Sequence, residues 1–507
     1  MTSRQLSPTA SELRGVQLGS AVFILSLATF IVILDATIIN VAVPHIAGSF
    51  AASPSEGTWV ITSYAVAEAL TVPLSGWLAN RFGTVRVLIT AISSFALFSA
   101  LCGVAPSLQM LVMFRVFQGL SGGPLIPISQ TLIMRVVPPA KLEAMMGLWM
   151  MTSILAPIAG PILGGVLADT VGWRWAFYLN VPVAAVCGAV GYLIFRNSET
   201  PCHKQNIDYV GLALLILWVG AFQTMLDTGE DLDWFSSTRI VMLLMITVIG
   251  LALFVIWEIT DNAPVVDLRI FRFRGFVAAS VAMFLAFGAF FASLVLLPLW
   301  LQIGMNYTAT HAGYVLALQA AFGVIVAPLA AGLMGRVEPR LLMSAGLVIL
   351  AVSVFCRSSF STAIGFDQMI WPQLIMGIGL PLFFVPLMTV SLKAVPPIDA
   401  ASASGIINFI RTIAGAIAAA IVVALWNHKT VITHAQLAPF LDPSRLLMRD
   451  LAVTKLTHGQ IIQSTDGAVW QQSMMISANQ VSAILAFILA LAAIAIWAFP
   501  RKQQLYQ

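Results

Sequence analysis

Charge is what this 507-residue chain has least of: Asp, Glu, Lys and Arg together make up 9% of it, against about 25% in ordinary soluble domains. A chain so poor in charge cannot keep a soluble surface polar, and a net charge of +4 gives no support to nucleic-acid binding, which needs a basic face. Cysteine is scarce as well. Cys102, Cys187, Cys202 and Cys356 lie far apart with neither CxxC nor Cys/His spacing, so neither a disulfide framework nor a metal site is indicated. No Walker A sequence or HExxH occurs, and the large polar domain expected of a sensor is missing; an enzyme or a receptor therefore ranks low.

What the chain has in excess is apolar residues, 59% of the total, with a mean hydropathy of +0.94. The composition is that of an all-α polytopic membrane protein, since in lipid every backbone polar group must be satisfied within a helix or a closed barrel. The first apolar run, residues 18–43, is too long for a signal peptide and carries Asp35, so it is read as a retained helix. Counting about 20 residues per crossing gives fourteen helices, the last at 476–498. With a cytoplasmic N-terminus, the inside segments collect Arg81, Arg86, Arg135, Lys141, Arg336 and Lys393, while the short outside loops hold only Arg174, Arg239 and Arg357. The positive-inside rule thus places both termini in the cytoplasm.

An internal repeat organises these helices. Arg135-Val-Val-Pro-Pro139 with Gly147 recurs as Lys393-Ala-Val-Pro-Pro397 with Gly405, and Pro73 with Arg81 recurs as Pro328 with Arg336. The chain divides into a tail at 1–17, a six-helix bundle at 18–195, a linker with two inserted helices at 196–275, and a second six-helix bundle at 276–507. A long outer segment at 427–475 mixes leucine and isoleucine with polar residues, which predicts one or two short amphipathic helices over the outer mouth. Two repeated halves describe a secondary transporter with its substrate site near the midplane between them.

Four motifs add a resemblance to this reading. Leu34-Asp35-Ala-Thr37-Ile-Ile-Asn40 in the first helix, Gly76-Trp-Leu-Ala-Asn80-Arg81-Phe-Gly83 between the second and third, Arg115-Val-Phe-Gln118-Gly119 in the fourth and Gly160-Pro161-Ile-Leu-Gly164-Gly165 in the fifth together resemble the fourteen-helix drug:proton antiporters of the major facilitator superfamily. The resemblance implies a multi-pass protein of the bacterial inner membrane, exporting hydrophobic drugs without a cofactor and driven by the proton motive force. It also implies a tripartite system, with a periplasmic adaptor of the EmrA type and a TolC-type outer-membrane channel. One departure is Asn80, where the loop motif usually carries aspartate.

The chemistry falls on a few residues. An intramembrane ionisable side chain is costly and needs a partner or a water-filled cavity. Asp35, Glu68 and Arg115 fall in one layer, ~10–14 Å below the outer surface at ~1.5 Å per residue, and are expected to share an outward-opening cavity. Burial opposes the charged form of a carboxylate and a guanidinium favours it, so a change in their separation would load or release a proton. The structural alternative is that Asp35 and Glu68 merely satisfy a buried arginine or bond between helices; Arg115 is read as an organiser of the proton site. Gly76, Arg81, Gly83 and Gly119 are candidates for gating and close helix packing. Gly160, Pro161, Gly164 and Gly165 are expected to form a tight, bendable seal between the halves, against the alternative of a static packing motif. Asn40, Gln118 and Arg411 are weaker candidates for the substrate cavity. Met145, Met146, Met150, Met151, Phe290 and Phe291 suit a deformable apolar site. An importer or facilitator on the same fold is the rival reading.

Overall fold

The computed structural model describes residues 15–200, 202, 208–261, 264–440 and 458–498, and these are helical throughout apart from their connections. The first apolar run becomes α1 (Gly15–Ser49). A capping box opens α2 (Pro54–Thr71): the Glu56 N–H donates to Ser53 Oγ at 3.2 Å, and the Ser53 N–H donates to the Glu56 carboxylate at 2.8 Å. Pro73 removes a backbone donor and breaks the helix, which resumes as α3 (Ser75–Phe82) and turns at Gly83 into α4 (Thr84–Gly103). α5 (Leu108–Gly122) and α6 (Leu125–Val136) are parted at Gly123 and Pro124, and α7 (Pro139–Thr170) is followed by α8 (Trp175–Tyr178) and α9 (Asn180–Phe195).

Between the halves lies a hairpin of α10 (Tyr209–Thr228) and α11 (Thr238–Thr260). Asp208 caps α10 by accepting from the Gly211 N–H at 2.8 Å, and its carboxylate also accepts from Trp257 Nε1 of α11 at 3.0 Å. The second half comprises α12 (Arg274–Leu299), α13 (Ala309–Leu333), α14 (Pro339–Cys356), α15 (Phe366–Lys393), α16 (Ala400–Leu437) and α17 (His458–Ala495).

Among the described residues twelve helices are long and apolar enough to cross a bilayer, and thirteen when the bent α7 is counted. The remaining helix, α2 with α3, carries Glu56 and Glu68 and is interrupted at Pro73, which lowers its hydropathy without shortening it. In the first half α1 packs on α7 and α9, and α5 packs on α2 and α4; in the second, α12 packs on α16 and α17, and α15 on α13 and α14. The halves meet through α7 against α13 and through α16 against α3 and α6. We call the side where α1 begins the near side and the side where it ends the far side.

The segment 427–475 differs from its expectation of short separate helices. α16 continues to Leu437 and α17 begins at His458, leaving only 441–457 outside the described residues. The two extensions brace each other: the His434 ring stacks on Trp470 at 4.3 Å and bonds Asp466 at 2.9 Å. A partner helix supplies the contacts that a mixed polar sequence lacks on its own. The N-terminal tail expected at 1–17 lies outside the described residues up to residue 14.

Candidate substrate cavity and buried ion pair

Asp35 and Arg115 meet deep in the first half. Asp35 is 0% exposed and Arg115 1%, and one guanidinium nitrogen bonds Asp35 Oδ2 directly. The other carboxylate oxygen accepts from Gln118 Nε2 at 3.0 Å and from Asn180 Nδ2 at 2.6 Å. Arg115 also donates to the Val60 carbonyl and to Gln118 Oε1, both at 3.0 Å, and lies 4.0 Å from the centre of the Tyr64 ring. Three donors converge on an acceptor-only group, drawn from α5 and α9 onto α1. Helical spacing explains part of this: Arg115 and Gln118 are three apart on one face of α5.

Glu68 lies elsewhere. It lines a cavity of about 590 Å³ between the halves, a size typical of small-molecule sites. Arg411 of α16 lines the opposite wall. Most other walls are apolar, with Phe287, Phe290, Phe291 and Phe384 on one side and Ile33, Ile61 and Met150 on the other. Arg411 lies 5.8 Å from the Phe287 ring centre. Asp35 is therefore closed off from the cavity that Glu68 faces, because Gln118, Asn180 and Arg115 fill the space around it. Gln118 belongs to this sealed cluster, and Asn40 is exposed and outside the cavity lining; of the three weaker cavity candidates, only Arg411 lines it.

The profile of the Major Facilitator Superfamily matches residues 25–419. This chain belongs to the major facilitator superfamily. It is 40% identical over 474 residues to the multidrug export protein EmrB of Escherichia coli K12, covering 92% of this chain and 93% of that one. It is 37% identical over 473 residues to the fatty acid resistance protein FarB of Neisseria gonorrhoeae, at the same coverage. Its fold is similar to that of the proton:xylose symporter XylE, with a TM-score of 0.58 at 14% identity over 96% of each chain. The human organic anion transporter MFSD10 gives 0.57 at 13% identity, over 93% of this chain and 99% of that one.

In this major facilitator superfamily member the small residues of the motifs close distinct interfaces. A side chain at Gly76 would land on Ser402, so Gly76 joins α3 to α16 across the halves. Gly83 adopts φ +93°, and a Cβ there would meet the Glu199 carboxylate at 2.5 Å. That carboxylate accepts from the Val85 and Arg86 N–H groups at 3.0 Å each, capping α4 where the helix dipole favours a negative charge. Arg81 lies 5.5 Å from the ring centres of Trp77 and Phe82. Gly119 lets α5 approach the Tyr64 carbonyl of α2.

The fifth-helix motif differs from the expected seal between halves. Gly160 and Gly164 press α7 onto Thr37 and Ile38 of α1, within the first half, and Gly165 faces no atom within 4 Å. The contact between halves uses another face of α7, where Gly147 meets the Ala327 carbonyl and Ile162 meets Gly313. Small residues four apart mark a close approach but do not say which neighbour approaches. α7 does bend, by 42° between Pro139–Pro157 and Ile162–Ala168, and the Pro161 side chain lies outside the described residues. On the near side the halves are joined by Ser404 and Asn408 donating to Gln130 Oε1 at 2.5 and 2.7 Å, and by a 3.1 Å ion pair of Lys393 with Glu143. Asn180, Tyr64, Glu199 and Gln130 were not singled out by the sequence. A lone asparagine at the start of an apolar run was the available signal for Asn180.

Proposed function

We propose that this protein is a proton-driven exporter of hydrophobic compounds in a bacterial inner membrane, with fourteen crossings, both termini cytoplasmic and the far side periplasmic. The observation that carries the reading is the cavity. It is walled by phenylalanines, holds Glu68 opposite Arg411, and reaches toward the far side through Asp227, Glu230 and Trp234, while cross-half contacts hold the near side together. This is the arrangement of an alternating-access carrier facing outward. Relatives named for multidrug export and fatty acid resistance fit an apolar cavity of this kind. α2 with α3 supplies the fourteenth crossing, its low hydropathy owed in part to Glu68, the carboxylate it brings to the cavity. The blocks 18–195 and 276–507 act as the two moving halves, with 196–275 carrying the inserted pair.

Proton coupling is assigned to Asp35 and Glu68. Asp35 accepts from three donors, so a proton placed on it turns an acceptor oxygen into a donor that faces another donor. Relief requires α1 to move relative to α5 or α9, and α1 is the helix against which Gly160 and Gly164 pack. Glu68 responds in the cavity itself, since protonation removes the charge facing Arg411. The braced far-side ends of α16 and α17 are the surface for a periplasmic adaptor of the EmrA type, itself joined to a TolC-type channel. If changing His434 and Trp470 leaves adaptor capture intact in an inserted protein, that docking role is wrong.

The test of coupling is drug-driven proton movement in proteoliposomes. A hydrophobic substrate should move protons through the intact chain and not through Asp35→Asn. Equal transport by both without proton movement would make the protein a facilitator.

A further inference from the structure

The inserted hairpin is part of the cavity wall. Gln223, Leu226 and Asp227 of α10, with Glu230 and Trp234 of the connection that follows it, line the same space as Glu68 and Arg411. α10 packs on α2 and on α16, one helix from each half. Trp218 sets its ring edge-on to Phe409 of α16 at 5.9 Å, and Asn427 of α16 donates to Glu230 at 2.7 Å. The hairpin therefore covers the cleft between the halves at its far end.

The charges on this wall are uneven. Among the described residues that line the cavity, Glu68, Asp227 and Glu230 are acidic and Arg411 is basic. Glu68 and Arg411 offset each other across the space. Asp227 accepts from Gln223 Nε2 at 3.1 Å, and Glu230 accepts from Trp234 Nε1 at 3.0 Å as well as from Asn427. These donors are neutral, so none of them offsets the two carboxylates at the far mouth of a largely aromatic cavity.

We infer that Asp227 and Glu230 are specificity-determining residues, which hold the cationic head of an amphiphilic substrate at the far mouth while its apolar body lies on the phenylalanine wall. The inference rests on the exporter reading and names a substrate class for the same site. The inserted pair thus adds both a wall and a charge preference that the two repeated halves lack.

The test compares tetraphenylphosphonium with triphenylphosphine oxide, a neutral compound of similar shape, by equilibrium dialysis against the purified full chain. Asp227→Asn with Glu230→Gln should weaken tetraphenylphosphonium binding by about tenfold or more, ~1.4 kcal/mol, and leave the neutral compound unchanged. Asp227→Glu should keep the preference and serves as the folding control. Equal losses for both compounds, or no loss for the cation, would overturn the charge role. Binding of neither compound by the intact protein would overturn the exporter reading itself, and the inference with it.

Discussion

Removing the charges of Asp35 and Arg115 together should harm the protein less than the two single removals added together. In Asp35→Asn the three donors from Arg115, Gln118 and Asn180 meet an amide with one acceptor oxygen and one NH2 group. Whichever way that amide turns, its NH2 faces a donor, and the Arg115 charge stays behind at 1% exposure, with the Val60 carbonyl, Gln118 and the rings of Tyr64 and Phe177 around it. Breaking a buried pair from one side costs about 3–5 kcal/mol. Arg115→Gln leaves the opposite charge stranded and should cost as much. The double variant buries no net charge, so its cost should fall short of the sum by roughly 3 kcal/mol. The assay is reversible denaturation of the purified protein for all four members of the cycle. Costs that simply add would show that the two charges do not stabilise each other, and the account of Asp35 as an ion-pair partner would fail. Proton-coupled transport should be absent from all three variants, so stability and function separate in the double.

Two further outcomes follow from the packing. Gly160→Val would drive a side chain into Thr37 and Ile38 of α1 and should cost about 1–3 kcal/mol, whereas Gly165→Ala, facing open space, should change the stability read from melting of the purified protein by no more than about 0.5 kcal/mol. Lys393→Glu sets two carboxylates together at the near-side contact in place of a half-exposed pair that contributes ~0.2–1 kcal/mol. Maleimide labelling of Ser402→Cys, in a background without the native cysteines, should rise a few-fold and return on adding Glu143→Lys; no response would mean that this pair does not hold the halves.

By itself the sequence determined the membrane class, the two repeated halves and the main motifs, because hydropathy, repeat spacing and Pro/Gly punctuation are local signals that lipid makes nearly obligatory. It also pointed to the intramembrane charges, since a carboxylate or guanidinium in a twenty-residue apolar run has no cheap bland explanation. Sequence spacing along single helices placed Asp35, Glu68 and Arg115 at one depth but said nothing of rotation about each helix axis. Only the tertiary structure decided that Asp35 turns inward to Arg115, Gln118 and Asn180 while Glu68 turns to the cavity and Arg411. It likewise decided which neighbour Gly160 and Gly164 admit, and that the end of α10 and the turn after it bring Asp227 and Glu230 to the mouth of the cavity. Contacts between helices far apart in the chain depend on azimuth and packing partner, and those are settled only when all the helices are assembled together.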